Sequence, residues 1–208
     1  MESYNYKIKN FLENPIQHIE NPKIIEFGVR EGRSTKMFLD ICNKNNGELY
    51  SIDVDDYSHL YEDDKWTFIK TRDDNFDHLE KMIPKVLDII YLDSLHEADH
   101  VEKIFYHYFS KLKIGGYFFI DDTSWLPYVK NEKRSNFYCE INNKETFNRI
   151  LSIFQNNQEN LDLSFSFISS GMCMITKKKD NLNPPSKIKT RTFSIKNILK
   201  KMLNYINK

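Results

Sequence analysis

Three carboxylates follow two apolar segments that are typical of buried strands. Asp93 ends the segment DIIYLD, and Asp121 and Asp122 follow the segment GYFFI. Because the carboxyl ends of neighbouring parallel strands meet at one edge of a sheet, these side chains are expected to lie close together. Crowded carboxylates repel one another unless a cation neutralises them, and Mg²⁺ is the expected cation because it prefers oxygen ligands. Such an ion would lower the pKa of a bound substrate hydroxyl. An alternative role for Asp121 and Asp122 is to cap the segment that follows the strand.

The segment KIIEFGVREGRST, residues 23–35, holds a second group of residues that could bind a ligand. A short buried strand carries Glu26 at its tip, Gly28 and Gly32 flank a turn, and Ser34 is placed to open a helix. A strand, a glycine turn and a helix N-terminus in this order form a site for one face of a nucleotide. The spacing E-x-G-x-x-x-G differs from the G-x-G-x-x-G of dinucleotide-binding proteins. An acid at the strand tip suits a cationic or amine-bearing ligand better than a pyrophosphate.

Further acidic residues follow the next two predicted strands. Asp53 lies 21 residues after Gly32, where a carboxylate can accept hydrogen bonds from both ribose hydroxyls. Asp73 and Asp74 follow the third strand, in the segment IKTRDDN. Either of these two carboxylates could meet the edge of an adenine base, and the sequence does not choose between them.

The elements that must position these residues alternate along the chain. Strands are predicted at residues 23–27, 48–53, 67–70, 88–93 and 117–121. Helices are predicted at residues 34–44, 76–83 and 100–112, then near 144–155, before two strands at 161–168 and 172–176. Alternating strands and helices predict an α/β fold with a doubly wound, mostly parallel sheet that ends in an antiparallel hairpin. Residues 124–143, with their aromatic and basic side chains, are expected either to cover the substrate or to form an ordinary loop packed on the domain.

Taken in order, these motifs resemble class I methyltransferases that use S-adenosylmethionine. The likeness covers residues 20–176 and rests on IIEFGVREGRST, SIDVDD, DIIYLDSLHEADHV, LKIGGYFFIDDT and the closing hairpin. It is greatest to the metal-dependent small-molecule O-methyltransferases of the sugar and macrolide type. The resemblance implies a Rossmann-like methyltransferase domain, with bounds placed at residues 1–179. The segment DNLNPPSK, residues 180–187, is predicted to be a linker because its two prolines cannot continue a strand or a helix, and a helix is expected between it and residue 208. The resemblance also implies contacts to S-adenosylmethionine or to the metal, namely Glu26, Gly28 and Gly32 at the methionine end, Asp53 at the ribose, and Asp93, Asp121 and Asp122 around Mg²⁺.

The function implied by this resemblance is methylation of a hydroxyl on a sugar, a nucleotide-sugar or another small metabolite, assisted by a divalent metal. One alternative keeps the fold without the metal, as an N- or O-methyltransferase that works by proximity alone. Another alternative is a catalytically silent domain that binds the nucleoside and serves as an interaction partner.

The expected catalytic base differs from the family pattern. Sugar enzymes of this branch usually read D-G-D-H, with the second Asp as the base, whereas this chain reads D-S-L-H and has Leu95 at that position. His96 lies three residues after Asp93, an offset that holds a catalytic lysine in catechol-type relatives. His96 is therefore the predicted base. The alternative is that His96 orients a metal ligand or the next helix, and His100 is a second candidate for either role.

Composition and charge limit the other possibilities. The 208 residues are 40% apolar and 29% charged, and no segment approaches the ~20 apolar residues that cross a bilayer. The first residues contain no apolar signal core, and the three cysteines are widely spaced, so a cytoplasmic protein without disulfides or a zinc site is expected. Residues 177–208 carry ten basic side chains and one acidic one, which leaves 20 basic and 29 acidic side chains elsewhere. The acidic balance of residues 1–176 argues against a nucleic-acid partner.

The C-terminal segment carries an amphipathic pattern. Apolar residues recur there at helical spacing, at Ile195, Ile198, Leu199, Met202, Leu203 and Ile206. A basic amphipathic helix could contact the anionic inner face of a membrane peripherally. The alternative is a helix docked on the domain or on the partner in a homodimer.

Overall fold

The computed structural model describes residues 2–125 and 137–187, together with positions 195, 196, 198, 199 and 202. Within these residues the chain forms one sheet with the strands β1 (Lys23–Phe27), β2 (Glu48–Asp53), β3 (Trp66–Lys70), β4 (Leu87–Leu92), β5 (Leu112–Asp121), β6 (Leu161–Ser166) and β7 (Met172–Lys177). The helices are α1 (Glu2–Lys7), α2 (Asn14–Ile16), α3 (Arg33–Asn45), α4 (Phe76–Met82), α5 (Ala98–Phe109) and α6 (Phe137–Gln155). A π-helical segment, Ile8–Glu13, joins α1 to α2.

The strand order is β3-β2-β1-β4-β5-β7-β6. The first five strands in this order pair in parallel, and β7 pairs antiparallel with both β5 and β6. The predicted α/β fold, with a mostly parallel Rossmann-like sheet and a closing antiparallel hairpin, is therefore confirmed. The order reverses between β1 and β4, which is where such sheets leave a crevice at their carboxyl edge. The register aligns the strand ends there, since Phe27 lies opposite both Ile52 and Leu92, and Leu92 lies opposite Ile120.

Helices cover both faces of the sheet. On one face, buried side chains of α4, α5 and α6 join a core cluster with β1, β4 and β5. On the other face, α3 and the segment before β1 form a second cluster. Ile8, Leu12 and Ile16 are buried in this second cluster because they recur every four residues and so lie on one side of the N-terminal segment. The sequence analysis assigned no element before β1, and this segment is the main addition that the structure makes.

The segment predicted as a linker, residues 180–187, is hydrogen-bonded to the domain. The backbone N–H of Asn183 donates to Oδ1 of Asn157 (2.7 Å), and the backbone N–H of Ser186 donates to the carbonyl of Ser152 (2.8 Å). Its prolines prevent a regular helix or strand, but they leave these backbone groups free to bond to α6 and the loop after it. The predicted domain boundary at residue 179 stays a prediction.

Two predictions lie partly outside the described residues. These are the substrate cover, for residues 126–136, and the C-terminal helix, for most of its length including Leu203 and Ile206. The described positions 195, 196, 198, 199 and 202 are helical and exposed. Among the residues that the structure describes, we find no helix with the length and apolar character needed to span a membrane.

Candidate active site

A cavity of about 940 Å³ opens at the carboxyl edge of the sheet. It lies where the ends of β1, β2, β4 and β5 meet, and α1 contributes Tyr4 to its wall. The predicted site residues that line it are Gly28, Ser34, Asp53, Asp73, Asp93, His96, His100, Asp121 and Asp122. Glu26, Gly32 and Asp74 are outside this wall. The structure thus brings most of the sequence-predicted site residues to one cavity.

Gly28 allows the end of β1 to pass close to the end of β4. Its φ angle is +95°, and a Cβ atom at this position would lie 2.1 Å from the backbone oxygen of Asp93. The two strand ends are held at this distance by the N–H of Asp93, which donates to the carbonyl of Phe27 at 2.8 Å. Only glycine tolerates both the positive φ angle and the contact.

Glu26 lies beneath the cavity and is fully buried. Its carboxylate accepts hydrogen bonds from the hydroxyls of Ser34 (2.5 Å), Thr35 (2.8 Å) and Ser51 (2.7 Å). Burial raises the pKa of Glu26 to about 7, although the three hydroxyl donors act in the opposite direction. In this position Glu26 ties β1 to β2 and to the first turn of α3. Its predicted contact with the methionine end of a cofactor stays a prediction.

Asp53 ends β2 and lines the cavity. Its Oδ2 accepts a hydrogen bond from the N–H of Val29 (2.8 Å), and its Oδ1 accepts one from the N–H of Asp55 (3.1 Å). These two backbone donors hold the carboxylate of Asp53 beside the turn that follows β1. Because each carboxylate oxygen has two lone pairs, Asp53 can still accept further hydrogen bonds, as two ribose hydroxyls would require.

Of the two candidates for the adenine edge, the structure places Asp73 in the cavity wall. Asp73 is nearly buried, and its Oδ2 lies 2.5 Å from Oγ of Ser94 and 2.8 Å from Nε2 of His100. Asp74 instead points to Arg72 and Lys103, and the hydrogen bond from Arg72 holds the pKa of Asp74 well below its usual range. His100 is therefore anchored to Asp73 and does not reach the other carboxylates.

The structure brings Asp93, Asp121 and Asp122 together beside His96. Nε2 of His96 lies 3.5 Å from Oδ1 of Asp93 and 3.5 Å from Oδ2 of Asp122. The hydroxyl of Tyr91 lies 3.0 Å from Oδ2 of Asp121 and 3.2 Å from Oδ2 of Asp93. Burial, followed by repulsion from Asp121 and Asp122, raises the pKa of Asp93 well above its usual range. His96, the predicted base, is thus flanked by two carboxylates and faces the cavity.

Lys7 is a site residue that the sequence analysis missed. Its ammonium group is fully buried and lies 2.5 Å from Oδ1 of Asp121, 2.9 Å from Oγ of Ser170 and 3.4 Å from the carbonyl oxygen of Gly171. The repeat of apolar residues every four positions from Ile8 onward could have indicated a docked helix. Nothing in the sequence around Lys7 indicates that its charge is buried.

The carboxylate cluster does not fit a metal ion as it is arranged here. Oδ1 of Asp121 accepts hydrogen bonds from Lys7 and from the N–H of Asp122 (2.8 Å), and its Oδ2 lies within hydrogen-bond distance of Tyr91. Across the described residues, no three or more His, Cys, Asp or Glu side chains are arranged to hold a metal. The predicted Mg²⁺ site at Asp93, Asp121 and Asp122 is therefore unconfirmed.

Comparison with known proteins adds a family match for the segment that builds the cavity. Residues 25–123, from β1 to just beyond β5, match the family model of a methyltransferase domain. No curated protein sequence matches the chain.

Several solved structures share the fold. The MycE methyltransferase of the mycinamycin biosynthetic pathway, solved with Mg, SAH and mycinamycin VI, is 15% identical with a TM-score of 0.59, over 95% of this chain and 54% of that one. A candidate caffeoyl-CoA O-methyltransferase from Staphylococcus aureus is 16% identical with a TM-score of 0.59, over 85% and 81% of the two chains. A candidate rRNA methylase from Clostridium thermocellum is 13% identical with a TM-score of 0.59, over 85% and 95%.

These likenesses are informative at the level of the fold. This chain spans about half the length of the MycE chain, and the low identities carry over the architecture alone. Residues 25–123 match a methyltransferase domain model, and the described chain shares the fold of solved methyltransferases.

Proposed function

We propose that this protein transfers the methyl group of S-adenosylmethionine to a hydroxyl of a small molecule, such as a sugar or a nucleotide-sugar. The observation that carries the proposal is the single cavity in which Asp53, at one strand end, and His96, after another, line the same space. Asp53 offers acceptors suited to a nucleoside, and His96 offers a base suited to a hydroxyl. A pocket that only stored a nucleoside would not need the second group.

The residues that would hold the cofactor lie along the ends of β1, β2 and β3. Asp53 would accept the ribose hydroxyls, Gly28 would allow close approach to the backbone, and Asp73 with Ser94 would meet the adenine edge. When bound, S-adenosylmethionine supplies an electrophilic methyl group carried on a sulfonium. A sulfonium is cationic, and the several carboxylates in the wall of this cavity suit a cationic ligand.

His96 would accept the proton of the substrate hydroxyl at Nε2. The oxygens of Asp93 and Asp122, each 3.5 Å from Nε2, would stabilise the imidazolium that results. The role of His96 follows from its position in the cavity wall and from its flanking carboxylates. His100 is a weaker candidate because its Nε2 is engaged by Asp73 at 2.8 Å.

The proposal of a small-molecule acceptor rests on the charge of residues 1–176. The fold neighbours include the MycE methyltransferase, a candidate caffeoyl-CoA O-methyltransferase and a candidate rRNA methylase at equal TM-scores, so the fold does not select among their acceptors. The acidic balance of residues 1–176 disfavours a nucleic acid and favours a small metabolite. A cytoplasmic location, a homodimer and a peripheral membrane contact through the C-terminal helix stay predictions.

Binding of S-adenosylhomocysteine, followed by isothermal titration calorimetry, tests the nucleoside site. We expect wild-type protein to bind, and Asp53→Ala to weaken binding at least tenfold because two ribose hydroxyls lose their acceptor. Asp55→Asn, at a neighbouring exposed carboxylate outside the cavity wall, is the matched control and should bind as the wild type does. Equal binding by Asp53→Ala and the wild type would remove the nucleoside assignment.

Methyl transfer to a panel of sugars, nucleotide-sugars, phenols and amines, followed by mass spectrometry, tests the reaction. We expect a mass gain of one methyl group on hydroxyl acceptors, and a fall in rate of about 10²-fold or more in His96→Ala. His18→Ala, at an exposed histidine before β1, is the control. Transfer to amines alone would favour the N-methyltransferase alternative, and binding without any transfer would favour the silent domain.

A further inference from the structure

The buried ammonium group of Lys7 is paired with Asp121, one of the three carboxylates at which the sequence predicted a metal ion. It contacts Asp121 at 2.5 Å, and its other two neighbours, Ser170 and Gly171, lie in the turn between β6 and β7. An ammonium group has three N–H donors, so these three acceptors match its full donor capacity. The charged ammonium group of Lys7 is therefore a fully hydrogen-bonded part of this site.

The surrounding contacts fix Lys7 in place. Ile8 and Leu12, which follow Lys7 in the chain, are buried against the sheet, so the lysine cannot move away without exposing apolar surface. Tyr4, one turn earlier on the same helix, lies with its ring 5.2 Å from the ammonium group. Burying a charge is costly unless it is paired and hydrogen-bonded, and Lys7 meets both conditions.

From this geometry we infer that Lys7 is an internal cation that replaces the divalent metal at the carboxylate cluster. The lysine neutralises Asp121 and uses Oδ1, an oxygen that a metal would need, while Tyr91 faces the other oxygen. Asp93 and Asp122 then face His96 instead of a metal ion. This replacement does not depend on the proposed function. Its consequence for the reaction, which is methyl transfer that chelators do not inhibit, rests on that function.

Titration of MgCl₂ into protein without added cofactor, followed by calorimetry at constant ionic strength, tests the replacement. In a titration carried up to about 5 mM Mg²⁺, we expect wild-type protein to show no binding that depends on Asp121, because the oxygens of Asp121 are already engaged by Lys7, the N–H of Asp122 and Tyr91. Lys7→Met keeps the stem of the side chain and removes the charge, so the three carboxylates should then bind Mg²⁺ at least tenfold more tightly than in the wild type. The gain should disappear in the double variant Lys7→Met/Asp121→Asn.

Two controls keep the test decisive. Lys9→Met removes an exposed lysine from the same segment and should behave as the wild type does. If Lys7→Met does not fold, Lys7→Gln replaces it with a neutral side chain that can still bond to Ser170. The wild-type titration needs no variant at position 7.

Two results would overturn the inference. The first is stoichiometric Mg²⁺ binding by wild-type protein that Asp121→Asn abolishes, because a metal would then displace the lysine. The second is the absence of any gain in a folded Lys7 variant, because the lysine would then be only a structural ion pair. S-adenosylhomocysteine binding by the same samples separates this from the proposed function. Loss of nucleoside binding with no Mg²⁺ response in the wild type would remove the function and leave the role of Lys7 intact.

Discussion

Replacement of the buried Glu26 by glutamine is expected to change how the stability of the protein depends on pH. Burial raises the pKa of Glu26 from the ordinary 4.5 to about 7 in the folded state, so the folded protein holds this proton more tightly than the unfolded chain does. The associated stability is fully present below pH 4.5 and is lost as the pH rises through 7. The shift corresponds to about 3 kcal/mol of unfolding free energy across that range.

Glutamine has nearly the same shape and carries no charge at any of these pH values. Its side-chain oxygen and nitrogen can still bond to the hydroxyls of Ser34, Thr35 and Ser51, because hydroxyls both donate and accept. Relative to the wild type, Glu26→Gln should therefore become more stable by about 3 kcal/mol on going from pH 4.5 to pH 8. The difference in unfolding free energy between the two proteins cancels the contributions of the other titrating groups.

Urea unfolding followed by circular dichroism, at four or five pH values between 4.5 and 8, measures this difference. Glu62→Gln is the matched control, because its carboxylate is exposed to water in the folded protein, and its difference from the wild type should vary little with pH. If the difference between Glu26→Gln and the wild type is equally constant, the reasoning is refuted. The three hydroxyl donors would then outweigh the effect of burial and keep Glu26 ionised.

Two further substitutions test the packing around the site by urea unfolding. Gly28→Ala should cost about 1–3 kcal/mol more than Gly115→Ala, because both glycines have positive φ angles but only the first would place a Cβ atom against Asp93. Equal costs would mean that β1 and β4 can separate freely. Lys177→Met should cost roughly 2–4 kcal/mol, because the buried ammonium group bonds to two backbone carbonyls, at 2.9 Å and 2.6 Å, that would lose their donor. Lys178→Met, at a half-exposed lysine, should cost less than about 1 kcal/mol, and similar values for the two lysines would contradict this account.

The sheet and the grouping of the acidic residues were predictable because they depend on local patterns. The strands β2, β3, β4 and β5 are short, largely apolar runs with a polar residue at or directly after their ends, and the carboxyl ends of parallel strands must meet at one edge. This rule was sufficient to predict that Asp93, Asp121 and Asp122 lie close together. It was also sufficient to place Asp53 at the cavity.

The environment of Glu26 depends on information that local patterns lack. An acid near the end of an apolar strand was interpreted as a ligand for a cationic group. The register places Glu26 directly beside Ser51 on β2, and the first turn of α3 adds two more hydroxyls, none of which the local pattern indicates. The sequence predicted both strands, but the pairing of individual residues across them required the structure.

Lys7 and its acceptors are separated by most of the chain. Asp121 is 114 residues away from Lys7, and Ser170 is 163 residues away. No periodicity or motif relates residues at such separations, and only the docking of α1 against the sheet brings them together. The charge balance of the site was therefore the part that the sequence could not predict.

These same separations determine when the site is assembled and lost. Contacts that close long loops are entropically costly to form, and elements at the margins of a fold open with lower free energies than central strands. The buried charge pair joins one such element, α1, to the end of β5, and the same ammonium group also bonds to the β6–β7 turn. Partial opening of α1 would leave the parallel sheet intact, yet it would remove the neutralising charge from Asp121. Heating should then disrupt the site before the sheet itself melts, and amide hydrogen exchange in α1 would report how long the site stays assembled.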